Sequence, residues 1–219
     1  FIHNRVLYTA MLNDGITTKM KLENIKGIVL IRQTSIAKEQ FARLTLLNFI
    51  QCPKVKHIGD QAFEECYFLQ IVDSPNLQTV GVDAFSNCTS LSKINLYNVT
   101  KLSQRSFASC CNLVKVEFAR LELIPEQCFT NCLNLFQVIG SQIAEIHETA
   151  FEMNEKTVNV QSEKLQEGEY EGFVVGKVKR IGEVLVDKFV ERKLFSASLK
   201  VVNTQSQVLR KQLGKWRRE

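Results

Sequence analysis

Six phenylalanines on one strict spacing constrain this chain more than any other feature. Phe41, Phe63, Phe85, Phe107, Phe129 and Phe151 stand 22 residues apart. A fixed period overrides local guesses about structure, because each period must then be one structural unit. Other positions keep the same register. Three residues after each Phe come Cys66, Cys88, Cys110 and Cys132, with Leu44 in the first copy. Six after come Leu47, Leu69, Leu91, Leu113 and Leu135; nine after come Ile50, Val72, Ile94, Val116, Val138 and Val160. Val55, Leu77, Val99, Leu121, Ile143 and Leu165 follow at fourteen, and Ile58, Val80, Leu102, Ile124 and Ile146 at seventeen. A small residue precedes most of the phenylalanines: Ala62, Ala84, Ser106, Cys128 and Ala150.

These spacings predict an α/β solenoid of short strands and short helical turns. The Phe, Cys and Leu positions step by three, as one or two tight helical turns with a single inward face would require. The next stretch alternates, as in Leu91-Ser-Lys-Ile94-Asn-Leu96, which places Ile94 and Leu96 inside and Lys93, Asn95 and Tyr97 outside. A second short extended piece follows, near Leu77 to Val80 and Leu121 to Ile124. One such unit cannot bury its own apolar face, so the core arises only when several units stack.

The motif A-F-x-x-C-x-x-L-x-x-I-x-L, present as Ala84-Phe85-x-x-Cys88-x-x-Leu91-x-x-Ile94-x-Leu96, resembles the BspA-like leucine-rich repeats. The resemblance spans about Leu22 to Leu165. The family pattern often runs one residue longer, with Pro after the strand; Pro53 and Pro75 keep that position here and other copies lose it. The resemblance implies a leucine-rich-repeat solenoid wound as a right-handed superhelix. It also implies a protein-binding role: relatives in bacteria and parasitic protists are commonly cell-surface adhesins for host or matrix proteins.

Residues 1–21, with Val6, Leu7, Tyr8, Met11 and Leu12, read as an N-terminal cap. Residues 22–168 read as repeats whose first copy is degenerate, with Lys19 in the Phe position. The period breaks after Leu165 at Glu167-Gly-Glu-Tyr-Glu-Gly172, and residues 169–202 read as an interrupted last repeat or cap. There Lys177-Val-Lys-Arg-Ile181-Gly182 echoes Lys54-Val-Lys-His-Ile58-Gly59. In the tail, 203–219, Leu209, Leu213 and Trp216 fall on one helical stripe. Arg210, Lys211, Lys215, Arg217 and Arg218 lie mostly off it. A capping helix is the plainer reading of this tail, and contact with anionic lipid, nucleic acid or an acidic partner the sharper one.

Charge divides the chain the same way. The net charge is +5, yet Lys177 to Glu219 holds twelve Lys or Arg against four Asp or Glu, so the rest carries −3. No apolar run approaches the roughly 20 residues of a membrane-spanning helix. The seven cysteines lie mostly in core register, where Cys acts as a small buried hydrophobe. Reduced thiols in a reducing compartment are therefore the expectation, hence a cytoplasmic protein. The alternative is a cell-surface protein with an upstream signal sequence; the triplets Asn87-Cys-Thr89 and Asn98-Val-Thr100 would then be glycosylation acceptors.

Chemistry-bearing patterns are sparse. No Cys-x-x-Cys pair occurs and Cys128-x3-Cys132 lacks a matching pair, so neither a metal nor a cofactor is expected. His3, His57 and His147 are isolated from any nucleophile motif, and no enzyme is expected. What remains is the outward ladder of the strands. Asp73, Asn95, Glu117 and Gln161 form one column; Ile71, Lys93, Lys115, Gln137 and Asn159 form the next, with Tyr97 beside them. Asp73, Lys93, Asn95, Tyr97, Lys115, Glu117 and Gln137 are thus the candidate partner-binding residues. A protein partner suits this mixed surface better than nucleic acid, which favours a contiguous basic, aromatic-studded groove. An adaptor or scaffold is the leading expectation, with the adhesin and the tail-mediated membrane or nucleic-acid binder as alternatives.

Overall fold

The computed structural model describes residues 2–10, 12 and 22–176. Within them the chain winds into stacked coils, six of which give a first, mostly longer strand and a second, shorter one. The longer strands are β2 (Val6–Thr9), β3 (Gly27–Leu30), β5 (Phe49–Gln51), β7 (Ile71–Asp73), β9 (Lys93–Ile94), β11 (Lys115–Phe118), β13 (Gln137–Gly140) and β15 (Val158–Gln161). The shorter are β4 (Ser35–Ile36), β6 (His57–Ile58), β8 (Thr79–Val80), β10 (Lys101–Leu102), β12 (Leu123–Ile124) and β14 (Glu145–Ile146).

Parallel pairing holds the register at one period, as Ile50 opposite Val72 and Val116 opposite Val138 show. Residues 22 apart therefore sit directly above one another, and the sequence columns become physical columns. Leu7, Ile28, Ile50, Val72, Val116, Val138 and Val160 line one inner face and are buried. The six phenylalanines are buried as well and stack with ring centroids 5.2–5.9 Å apart and planes within 23° of parallel. Offset stacking at such spacing adds to the burial of each ring.

The third side of each coil, carrying Phe and Cys, is a run of turns rather than helix. Among the described residues the helical element is a single 3-10 turn, Leu22–Asn24. The reason is conformational. Glu39 and Arg43, Gln61 and Glu65, Asp83 and Asn87, Arg105 and Ser109, and Gln127 and Asn131 all take positive φ, between 49° and 61°. A left-handed residue every four positions stops a helix from propagating. It also turns alternate N–H groups along the solenoid axis. Gln61, Phe63 and Glu65 donate to Val82, Ala84 and Ser86 of the next coil, while Ala62 and Glu64 donate back three residues. The step of three gave the inward face correctly, but the hydrogen bonds run between coils.

The cysteine column has a purpose beyond size. The thiols of Cys66, Cys88, Cys110 and Cys132 donate to the carbonyls of Phe41, Phe63, Phe85 and Phe107 one coil back, at 3.1–3.2 Å. Valine or alanine would fill the space without making that bond.

Hairpins close both described ends. β1 (Ile2–His3) pairs antiparallel with β2 across Asn4-Arg5, whose φ values of 48° and 64° suit a two-residue hairpin turn. β16 (Gly168–Tyr170) pairs antiparallel with β17 (Phe173–Val175) across Glu171-Gly172, with Gly172 at φ 81°. Phe173 lies one full period after Phe151, yet it occupies a strand opposite Val158 rather than a turn. Its ring still caps the stack, 5.5 Å from Phe151 but tilted by 57°. Residues 177–202 and the tail 203–219, including Leu209, Leu213 and Trp216, lie outside the described residues.

Candidate binding surface

The outer side of the long strands divides into a buried part and an open part. In the first coils the outward positions are apolar and enclosed: Val6, Tyr8, Val29, Phe49 and Ile71 are all buried. Gly27 belongs to this set, because a Cβ there would collide with the Phe49 ring. Ile71, placed by its sequence column on the solvated ladder, is therefore not part of an open face.

Asp73, Lys93, Asn95, Tyr97 and Glu117 are exposed. Asp73 accepts a hydrogen bond from the Gln51 side chain at 3.2 Å. Asn95 Oδ1 accepts from the Tyr97 N–H at 3.0 Å, which ends β9 after two residues and swings Tyr97 outward, 57% exposed. Lys115 is half-buried and its ammonium pairs with the Glu117 carboxylate beside it. Exposed pairs of this kind add little stability. They do set a local pattern of alternating charge that a partner can read.

Gln137 departs from expectation. It lies on the same outward column but is fully buried, and neither atom of its side-chain amide has a hydrogen-bond partner. A buried side chain touches no partner, so Gln137 leaves the candidate set as the fold stands. Arg210, Lys211, Lys215, Arg217 and Arg218 lie outside the described residues.

Sequence reasoning passed over a second exposed group. Tyr67 and Phe68, 40% and 53% exposed, follow Cys66 at the edge of the turn face. The signal was legible, since other copies carry Thr89-Ser90 and Leu133-Asn134 at those positions.

The cysteines are free, with six buried and Cys111 half-buried. Burial pushes the thiols of Cys52, Cys66 and Cys128 up to about 12, and raises Cys88, Cys110 and Cys132 well above the ordinary range. Such thiols stay protonated and unreactive. Among the described residues no group of three His, Cys, Asp or Glu is placed to hold a metal ion, and no helix is long and apolar enough to cross a membrane.

Parallel short strands, stacked core columns and a strand face bearing mixed polar side chains define a leucine-rich-repeat solenoid. More particularly, the chain belongs to the BspA type leucine rich repeat family, whose pattern matches in six copies across residues 34–158. Repeat modules of this fold generally bind proteins through their extended surfaces. Two solved structures are among those that share the fold. One is a leucine-rich repeat protein from Bacteroides ovatus, 25% identical with a TM-score of 0.56, covering 71% of this chain and 43% of that one. The other is a leucine rich cell surface protein from Faecalibacterium prausnitzii, 20% identical with a TM-score of 0.53, covering 63% of this chain and 47% of that one. This chain thus spans less than half the length of either. No curated protein matches the sequence.

Proposed function

We propose that this chain is a non-catalytic adaptor that binds a protein partner through the open part of its strand face. The observation that carries the reading is the cluster around Tyr97. A largely exposed aromatic is held out by the Asn95 bond, with Lys93 on the same coil, Asp73 on the coil before and the Lys115–Glu117 pair on the coil after. Tyrosine set among mixed charges is the composition of protein-recognition surfaces, where it acts as a rigid anchor. A reducing compartment suits the thiols, four of which work as hydrogen-bond donors that a disulfide would lack.

The second reading places the chain at a cell surface, binding a host or matrix protein. It is favoured by the description of the Faecalibacterium prausnitzii structure as a cell surface protein.

The two are tested together by affinity capture from the native cell, with alkylation of accessible thiols before and after denaturation. Capture is compared for the unaltered chain, for Tyr97→Ala with Glu117→Arg, and for a turn-face control, Thr130→Arg. The strand-face reading expects a protein retained by the first and third and lost from the second. Equal retention by all three overturns it. Seven thiols, reduced in the native protein, support the adaptor; inter-coil disulfides or glycan on Asn87 or Asn98 support the cell-surface protein instead.

A further inference from the structure

Successive coils are joined on the turn face, along the long strands and along the short strands. At one junction two of these three seams lack their regular backbone hydrogen bonds. Between the Phe63 and Phe85 coils, Ser92 and Lys93 donate to the Gln70 carbonyl, Thr100 and Lys101 to Gln78, and Ser103 to Val80. Between the Phe107 and Phe129 coils the same places are filled. Phe136 and Gln137 donate to Val114, Ala144 and Glu145 to Glu122, and His147 to Ile124. Between the Phe85 and Phe107 coils none of the five equivalent bonds is made among the described residues. The donors would be Val114, Lys115, Glu122, Leu123 and residue 125; the acceptors would be Ser92, Thr100 and Leu102. Accordingly β9 does not pair with β11, nor β10 with β12, and each ladder is split at this level.

The sequence supplies causes. The position held by Gly59, Gly81, Ser103 and His147 in other coils, each an N–H donor, is Pro125 here. Proline has no N–H to give. The Asn95–Tyr97 bond curtails β9. The corner column that holds Cys52, Ser74 and Gly140 in other coils has two large side chains, Leu96 and Phe118, facing each other across this junction. The core registers the opening as well. Ile94 is half-buried, whereas Ile50, Val72, Val116 and Val138 in the same column are 0–4% exposed.

The turn face is closed at the same level. Asp83, Phe85 and Asn87 N–H donate to Gln104, Ser106 and Ala108 at 3.2, 2.9 and 2.9 Å. Arg105 Nε meets Asp83 Oδ1 at 2.9 Å, the Cys110 thiol reaches the Phe85 carbonyl at 3.2 Å, and the Phe85 and Phe107 rings stack at 5.3 Å. Elsewhere a single backbone bond crosses among the described residues, Ala119 N–H to the Tyr97 carbonyl at 2.9 Å.

The geometry points to a hinge between residues 104 and 105, with the closed turn face as its axis and the strand face as the side that opens. Hinges of this kind place a few connecting residues between two rigid blocks. Lys93, Asn95 and Tyr97 ride on one block, Lys115 and Glu117 on the other. A partner touching both blocks selects one opening angle, since it binds that conformer best. This last consequence rests on the strand face being the binding surface; the hinge itself does not.

The test uses pulsed electron paramagnetic resonance on the whole chain, carrying Cys111→Ser so that only introduced cysteines take a spin label. One pair, Asp73→Cys with Gln161→Cys, lies on the strand face. The other, Glu64→Cys with Glu152→Cys, lies on the turn face, and each pair spans four periods. The hinge predicts a distance distribution about twofold broader for the strand-face pair. Equal widths would overturn it. Hydrogen exchange on the unaltered chain gives a second measure. Amides of Val114, Lys115, Glu122 and Leu123 are expected to exchange at least about tenfold faster than those of Phe136, Gln137, Ala144 and Glu145. Equal protection would equally overturn the proposal.

Discussion

Raising the pH should unfold this protein through its cysteines. Six thiols are buried, and burial raises all of them well above the ordinary thiol value of 9.0, to about 12 for Cys52, Cys66 and Cys128. The sign follows from proton binding. Below about 9 both folded and unfolded states keep the proton, so the stabilisation is intact; above it the unfolded thiol ionises and the folded one does not. Stability is therefore lost as pH rises from about 9 toward the folded values. At pH 10 the unfolded state gains about 1 kcal/mol for each thiol that stays protonated in the fold, so the six together offset a large part of a domain's stability. Other groups titrate in this range too, so the assay is differential. Urea midpoints followed by far-ultraviolet circular dichroism, under reductant, are compared for the unaltered chain and Cys88→Ala. The variant is less stable at every pH, having lost the bond from its thiol to the Phe63 carbonyl. Its loss between about pH 7 and about pH 10 should nonetheless be smaller by about 1 kcal/mol. Identical losses would refute the reasoning, because Cys88 could not then be a buried, protonated thiol in the fold.

Three further outcomes follow from the stacking. Phe107→Ala, in the middle of the ring column, should lower stability by about 3–5 kcal/mol in thermal or urea unfolding, since the site is fully enclosed and collapses poorly. Met153→Gly should stabilise by about 0.5–1 kcal/mol by relieving a left-handed residue at φ 59° whose side chain is mostly exposed; destabilisation of that size would mean the strain is misread. Deleting residues 63–84, one whole period, should leave a shorter chain that still unfolds cooperatively, whereas deleting 63–73 should abolish folding, as judged by circular dichroism.

The architecture was legible because a repeat writes its contacts into one dimension. Residues one period apart must touch in a stacked coil, so the columns of Phe, Leu and Ile or Val named the core before any coordinate was needed. Two features of the same columns were not legible. The step of three between Phe, Cys and Leu marks an inward face, but helix and stacked turn share that spacing. Hydrogen bonds to a coil 21 residues away decide between them, through left-handed residues such as Gln61 and Glu65. The Cys column likewise read as packing, and its bond to a carbonyl one coil back depends on geometry across the stack.

The binding surface was legible in direction and not in extent. Alternation along each strand told which side chains point outward, and Asp73, Lys93, Asn95, Tyr97 and Glu117 do so. Whether an outward side chain meets solvent is a property of the tertiary structure. Gln137 and Ile71 share the column of Lys93 and yet are buried. The period and the inner columns can be read along the chain, because they follow from which residues recur. Where the outer face is open and which coils are fully bonded together depend on groups that meet across the stack, and no single repeat carries that information. Pro125 lies between the two: it was plain in the sequence as a residue without an N–H, and it became a break in the ladder only once Leu102 was seen to lack its donor.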